Sequence, residues 1–178
     1  TYGAPALVSQ DSSGTLAGDN TSYQSEQSLS ADGRYLVFSS DASDIVSGDT
    51  NGYRDVFLRD LRLGTVTLIS RTASGGTANN SADDAVISAD GRYVAFQSSA
   101  TDLAVTGPNA STFQQNIFRW ERASNTLTLV SRDSAGSDGG DNHSYQASIN
   151  DDGSRIAFAT HASNLVAGVS DDNNELDV

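Results

Sequence analysis

The sequence predicts an all-β protein assembled from repeated four-stranded units, and three observations carry that expectation. The first is self-similarity. Leu7-Val8-Ser9-Gln10, Leu68-Ile69-Ser70-Arg71 and Leu129-Val130-Ser131-Arg132 recur 61 residues apart, as do Asp55-Val56, Asn116-Ile117 and Asp177-Val178. Between these anchors stand SADGRYLVF at 30–38, SADGRYVAF at 88–96 and NDDGSRIAF at 150–158. The second is the Asp-Gly pair in each of those stretches, which supplies the positive φ of a tight hairpin turn. The third is that no window sustains apolar residues at helical spacing between caps.

The first unit sets the pattern. Gln27 to Ser30 reads as a short strand and Ala31-Asp32-Gly33 as its turn. Arg34 to Ser39 is a second strand carrying Tyr35, Val37 and Phe38, and Asp55 to Leu61 is a third with Val56, Phe57 and Leu58. Leu63-Gly64 turns the chain into a fourth, Thr65 to Ser70, rich in β-branched residues that favour strands. Repeated units of this kind bury the apolar face of each on the next. Four antiparallel strands per unit, set radially, make the blade of a β-propeller.

The chain then divides into a stray outer strand at 6–10, blade 1 at 23–70, blade 2 at 83–132 and an incomplete blade 3 at 145–178. Propeller blades need neighbours on both sides, so two expectations follow. The chain is a segment of a longer propeller, or chains associate head to tail, with residues 6–10 completing the last blade of a neighbour and two copies giving six blades.

The Ser-x-Asp-Gly-Arg-Tyr stretch with its apolar tail, the Asp-x-Asn-x-x-x-Asp-Val-Phe stretch from Asp49, and the Thr-rich strand ending in Leu-Ile-Ser together resemble the TolB-type (WD40-like) propeller repeat of bacterial envelope and secreted proteins. The resemblance covers nearly the whole chain. It implies a secreted, extracellular or periplasmic protein and a ring of six blades. It leaves the role open, because such blades occur in binding proteins, in gating domains of peptidases and in polysaccharide lyases.

Charge narrows the partners. The 178 residues carry 23 Asp and Glu against 10 basic residues, all Arg, for a formal charge of −13. That surface repels nucleic acid and anionic membranes and suits cations or basic partners. There is no Cys, and no apolar run is long enough to cross a membrane. The absence of Met, even at position 1, suggests a processed product or an excised piece. Abundant Ser, Thr, Asn, Asp and Gly without Lys suits a secreted protein.

Candidate sites gather on the face holding the long connections, 39–54, 98–115 and 159–175 within blades and 11–24, 72–83 and 133–145 between them. Asp49-x-Asn51-x-x-x-Asp55 recurs there as Asp171-x-Asn173-x-x-x-Asp177. Such spacing can offer Ca²⁺ side-chain oxygens from Asp49, Asn51 and Asp55 and the carbonyl of Tyr53. The competing reading is a turn in which Asp and Asn bond their own backbone. The matching positions of the second repeat are Ala110, Thr112 and Asn116, and an EF-hand pattern is incomplete. A second candidate is a polar rim, Asp19, Asn20 and Tyr23 repeated as Asp141, Asn142 and Tyr145. Its tyrosines either stack sugar rings or pack between blades. His143 and His161 lie in loops of the third repeat on the same face, and Trp120 reads as inter-blade packing. Arg59, Asp60, Arg119 and Glu121 read as exposed strand charges that discourage edge pairing.

No G-x-S-x-G elbow or recognisable triad occurs. The expectation is therefore a non-catalytic extracellular binding or assembly module, supported by calcium. It would take a protein or glycan partner on its long-loop face or pair with its own copies. The alternative is a fragment of a propeller enzyme, a polysaccharide lyase or the gating domain of a hydrolase, with its catalytic groups elsewhere.

Overall fold

The computed structural model describes residues 6–106, 109–169, 171, 173 and 175–178, and contains no helix among them. The first sheet is a meander of β1 (Ser22–Tyr23), β2 (Tyr35–Ser40), β3 (Asp55–Asp60) and β4 (Thr65–Leu68), hydrogen-bonded in that order. The second repeats it with β5 (Ala82–Ile87), β6 (Tyr93–Ser98), β7 (Asn116–Glu121) and β8 (Thr126–Leu129). The third contains β9 (Ser144–Ile149) and β10 (Ile156–Thr160). All pairs are antiparallel. The register is shared: Ser40 faces Asp55, Ser98 faces Asn116, and Thr160 forms a bridge to Asp177. The protein is thus all-β and built of propeller-type blades.

Alternate residues of each strand point to opposite faces, so every blade offers two apolar surfaces. Tyr35, Val37, Val56 and Leu58 of the first sheet pack in one cluster with Ile87, Val94, Phe96, Phe118, Trp120 and Leu127 of the second. Ala95 and Ile117 of the second pack with Ala147, Ile149, Ile156 and Phe158 of the third. The outer face of the first sheet buries Phe38, Phe57, Ala42 and Ile45. Phe38 stacks on Phe57 at 5.4 Å, and Phe96 repeats the contact with Phe118 at 5.8 Å. Trp120 is buried in the shared core and donates from Nε1 to Asn125 Oδ1.

Each residue of the Ser-x-Asp-Gly-Arg-Tyr stretch has a physical task. The Ser30 hydroxyl donates to Asp32 Oδ1 and accepts from the Tyr35 amide, and Ser88, Asp90 and Tyr93 repeat both bonds. Asn150 and Asp152 take these places in the third unit. The glycine sits under the tyrosine of the preceding blade: Gly91 beneath Tyr35 and Gly153 beneath Tyr93. Main-chain bonds from Ala31 to Ala89 and from Asp90 to Asp151 join the same turns.

Two elements differ from expectation. The first strand starts earlier, at Ser22, because a two-residue insertion near Ser25 and Glu26 splits it. Its second half still pairs, through Val37 to Ser28 and Ser30 to Tyr35. The uninterrupted β5 and β9 instead carry bulges, with Asp84 at φ 49° and Gln146 at φ 53°. The insertion lets Gln27 donate from Nε2 to the carbonyls of both Ile87 and Ile149, tying the innermost strands of three units together. Asp60, expected as an exposed strand charge, is buried instead. Arg34 reaches across from the neighbouring strand and clamps its carboxylate, which holds it low, at about 2.

Residues 6–19 lie against the outer face of the first sheet. Arg59 donates to the Val8 carbonyl and to Gln10 Oε1, and Gly18 packs on Ile45 and Ala42. Gln10 bridges Ala17 as Arg71 bridges Thr77 and Arg132 bridges Gly139.

Candidate functional site

The long connections do share one face, and their acidic residues staple them together. Asp19 accepts from both the amide and the hydroxyl of Ser43, and Asp141 from those of Ser163. The return bonds run from the Asp19 amide to Asp44 and from the Asp141 amide to Asn164. Asn79 and Asp102 make the equivalent pair in the second unit. The Ser43 hydroxyl and amide hold the Asp19 carboxyl below its ordinary range. Asn20 and Asn142 each accept from the next backbone amide. This rim is therefore a set of local caps, with side chains turned to their own backbone.

The two rim tyrosines have different surroundings. Arg54 lies 4.0 Å over the Tyr23 ring, and the Tyr23 hydroxyl donates to Asp41. Arg54 also grips Asp41 at 2.9 Å and reaches Asp83 at 3.5 Å, which joins the first two units. Tyr145 stacks on His143 at 5.8 Å and meets the edge of His161 at 6.1 Å. His143 Nδ1 accepts from the Gln115 amide, so this histidine is fastened to the second unit.

The Asp49 loop is a compact latch at the entry to β3. Asp55 is fully buried; its Oδ1 accepts from the Ser70 hydroxyl at 2.6 Å and its Oδ2 from Asn51 Nδ2 at 2.9 Å. Ser70 in turn accepts from the Val56 amide, locking β3 to the strand after it. Asn51 is fully engaged: Nδ2 also donates to the Ala78 carbonyl, and Oδ1 accepts from Tyr53. Burial pushes the Asp55 carboxyl up to about 7, against the Ser70 and Asn51 hydrogen bonds that favour the charged form. Burial also raises Asp49, which is itself enclosed.

The second unit explains the pattern that its sequence breaks. Asn116 stands where Asp55 does, accepts from Ser131 at 2.8 Å, and the Ile117 amide donates to Ser131. A neutral amide therefore does the same work, which marks the position as a strand-entry latch first. In the third unit Asn173 accepts from Glu175 as Asn51 does from Tyr53, while Asp171 is half-buried and Asp177 exposed. Among the described residues no group of three or more His, Asp and Glu side chains is gathered as a metal cluster.

Sequence reasoning missed a large apolar opening. A cleft of about 690 Å³ runs beside β10, lined by Val130, Ile156, Phe158, Leu165, Val166 and Val169 among others. Val166 and Val169 are each 61% exposed there, and Leu165 is only half-buried, against nearly complete burial of its counterparts Ile45 and Leu103 in the other two units. In those units β3 and β4, or β7 and β8, occupy this place. The signal was present in the sequence as apolar residues in the 161–169 connection, but a loop reading hid it.

The fold and this surface define a repeat protein of propeller-type blades. No known family matches the sequence, and no curated protein matches it. Among solved structures, the tricorn protease is similar at 14% identity with a TM-score of 0.48. The alignment covers 84% of this chain and 11% of the length of that one.

Proposed function

We propose that this chain is a non-catalytic β-propeller module of the TolB type, working in the cell envelope or outside the cell through association, with the open side of its third sheet as the binding surface. The cleft beside β10 is the observation that carries this reading. Its apolar lining and the stretch of the β10 edge before the Thr160 bridge to Asp177 offer both side-chain burial and main-chain hydrogen bonds to an added strand, the recognition mode called β-augmentation. The stapled long-loop rim, with the Tyr145 and histidine cluster, is a rigid platform on which a protein or glycan partner would add further contacts.

A labelled peptide of residues 116–122, the third strand of the second unit, tests the reading by fluorescence anisotropy. Saturable binding in the micromolar range is expected, weakened about ten-fold or more by Phe158→Asp. No binding at about 1 mM peptide would remove it.

Calcium at the Asp49 loop is the second reading, supported by two enclosed carboxylates, Asp49 and Asp55, that burial drives toward neutrality. A divalent cation relieves that cost as well as protons do. Asn51 would have to turn its oxygen inward, giving up its bond to Ala78. Calcium at about 1 mM is then expected to raise the melting temperature by several degrees at pH 8, reversibly with EDTA, and not in Asp49→Ala. An unchanged melting curve would discard the metal.

A further inference from the structure

At the seam between the first two units, three side chains of the first unit close on one another. Arg54 lies over the Tyr23 ring, Tyr23 donates to Asp41, and Arg54 grips Asp41 and reaches Asp83. The shared strand register sets their counterparts in the third unit: Tyr145 for Tyr23, His161 for Asp41 and Leu176 for Arg54. Two of the three differ in chemistry. An imidazole stands where the carboxylate does, and an apolar side chain where the guanidinium does, so the ion pair is not rebuilt.

A hollow of about 200 Å³ lies there instead, lined by Asp84, Gln97, Tyr145, Gln146, His161 and Leu176. Strand bulges put Asp84 and Gln146 at its wall, in left-handed backbone at φ 49° and 53° that a residue with a Cβ adopts at a cost. Gln97 is buried and fixed: its Nε2 donates to Asp83 and its Oε1 accepts from the Gln146 amide. The other polar groups are unspent. Among the described residues the side chains of Asp84, Tyr145, Gln146 and His161 make no hydrogen bond, whereas Asp19, Asn79 and Asp141 on the long-loop rim are all engaged.

We infer that this hollow is a subsite for a neutral, hydroxyl-rich ligand, one sugar ring of a glycan. The inference rests on the reading of the rim as a platform, and it names the subsite and its ligand class. The unspent groups are mixed: the carboxylate only accepts, while the phenol, the primary amide and the imidazole each donate and accept. A cation offers donors alone and leaves the phenol, amide and imidazole donors unanswered. Adjacent hydroxyls both donate and accept, so a sugar ring serves the whole set. Leu176 and the ring of His161 supply apolar surface for its C–H face. The hollow is smaller than the roughly 300–1,000 Å³ of drug-sized sites, which suits a single ring.

Titration of the isotope-labelled protein with the methyl glycosides of glucose, galactose and mannose, followed by NMR, tests this. The side-chain amide signals of Gln97 and Gln146 are expected to shift and saturate with a Kd of about 1 mM for at least one glycoside. Asp84→Asn removes the charge but keeps a residue at ease in left-handed backbone, and should weaken binding about ten-fold or more. Tyr145→Phe and His161→Phe keep an aromatic ring in place and should each weaken it about three- to ten-fold. Tyr23→Phe makes the same change at the first seam and should bind as wild type does. No shift with any glycoside at about 50 mM, undiminished binding in Asp84→Asn and His161→Phe, or ethylammonium binding more tightly than the glycosides at the same signals would each overturn the inference. The strand peptide reports independently: if it binds while the glycosides do not, the open side stands and the sugar subsite falls.

Discussion

Gly91→Ala is expected to lower stability by about 3–5 kcal/mol, while Gly33→Ala costs about 1 kcal/mol, although the two glycines have nearly the same backbone angle. Gly33 lies at φ 68° and Gly91 at φ 67°, each closing an Asp-Gly turn. The left-handed conformation alone is worth roughly 1 kcal/mol for any residue with a Cβ, and both sites lose that much. They differ in what the Cβ meets. At Gly33 it meets open space, whereas at Gly91 it would stand 2.7 Å from Tyr35 Cδ2 and 3.4 Å from Ser30 Cβ. Tyr35 cannot step aside cheaply. It is 5% exposed, and the Arg34 and Arg122 guanidinium groups lie 4.7 and 4.2 Å from its ring centre. Displacing it opens the seam between the first two blades. Urea unfolding of the pair of variants measures the difference directly. Equal losses would show that the turn matters only for its own backbone, and would leave the tyrosine-on-glycine contact without weight.

That contact also marks how far the sequence could be read. The 61-residue repeat exposed the blades because each strand keeps its apolar face toward the next, a constraint local enough to print itself on every copy. Gly91 and Gly153 were legible as turn glycines but not as the floor under Tyr35 and Tyr93, because that task couples residues in different blades. The latch was half legible. Asp49, Asn51 and Asp55 stood out by spacing, and Ser70 and Ser131 stood out as anchors of the repeat, but neither pattern tells that Ser70 closes on Asp55 and Ser131 on Asn116 across the strands. Asn116 looked like decay of a metal motif when only that loop was considered; beside Ser131 it is the same latch with a neutral member. The split first strand followed from a two-residue insertion that repeat alignment passes over, and Gln27 exploits it to bond two other blades. Asp60 misled because alternation places it on a polar row, and nothing local signals that Arg34 would enclose it.

Asp55→Asn is expected to make the protein more stable at pH 8 and leave it little changed at pH 4. In the unfolded chain this carboxyl ionises near its ordinary value of 3.8, and in the folded protein burial moves it to about 7. Below 3.8 both states hold the proton and no stability is lost. As pH climbs from 3.8 to 7, the unfolded chain releases a proton that the folded chain keeps. Stability then falls by about 1.4 kcal/mol per pH unit, to a loss of about 4 kcal/mol that is complete above 7. Asparagine carries no such proton. Its Oδ1 can still accept from Ser70, as Asn116 does from Ser131, but its nitrogen faces Asn51 and forfeits that bond, a cost of about 1 kcal/mol. The variant should therefore lead wild type by about 2–3 kcal/mol at pH 8 and trail slightly at pH 4. The lowered carboxyls work in a different window: Asp60, at about 2, supplies stability that is lost only as pH drops from 3.8 through 2. Taking the difference between variant and wild type in urea unfolding at pH 4, 6 and 8 cancels those shared contributions. A difference that stays constant across the three would mean that Asp55 is charged in the folded protein throughout, held so by Ser70 and Asn51 in spite of its burial.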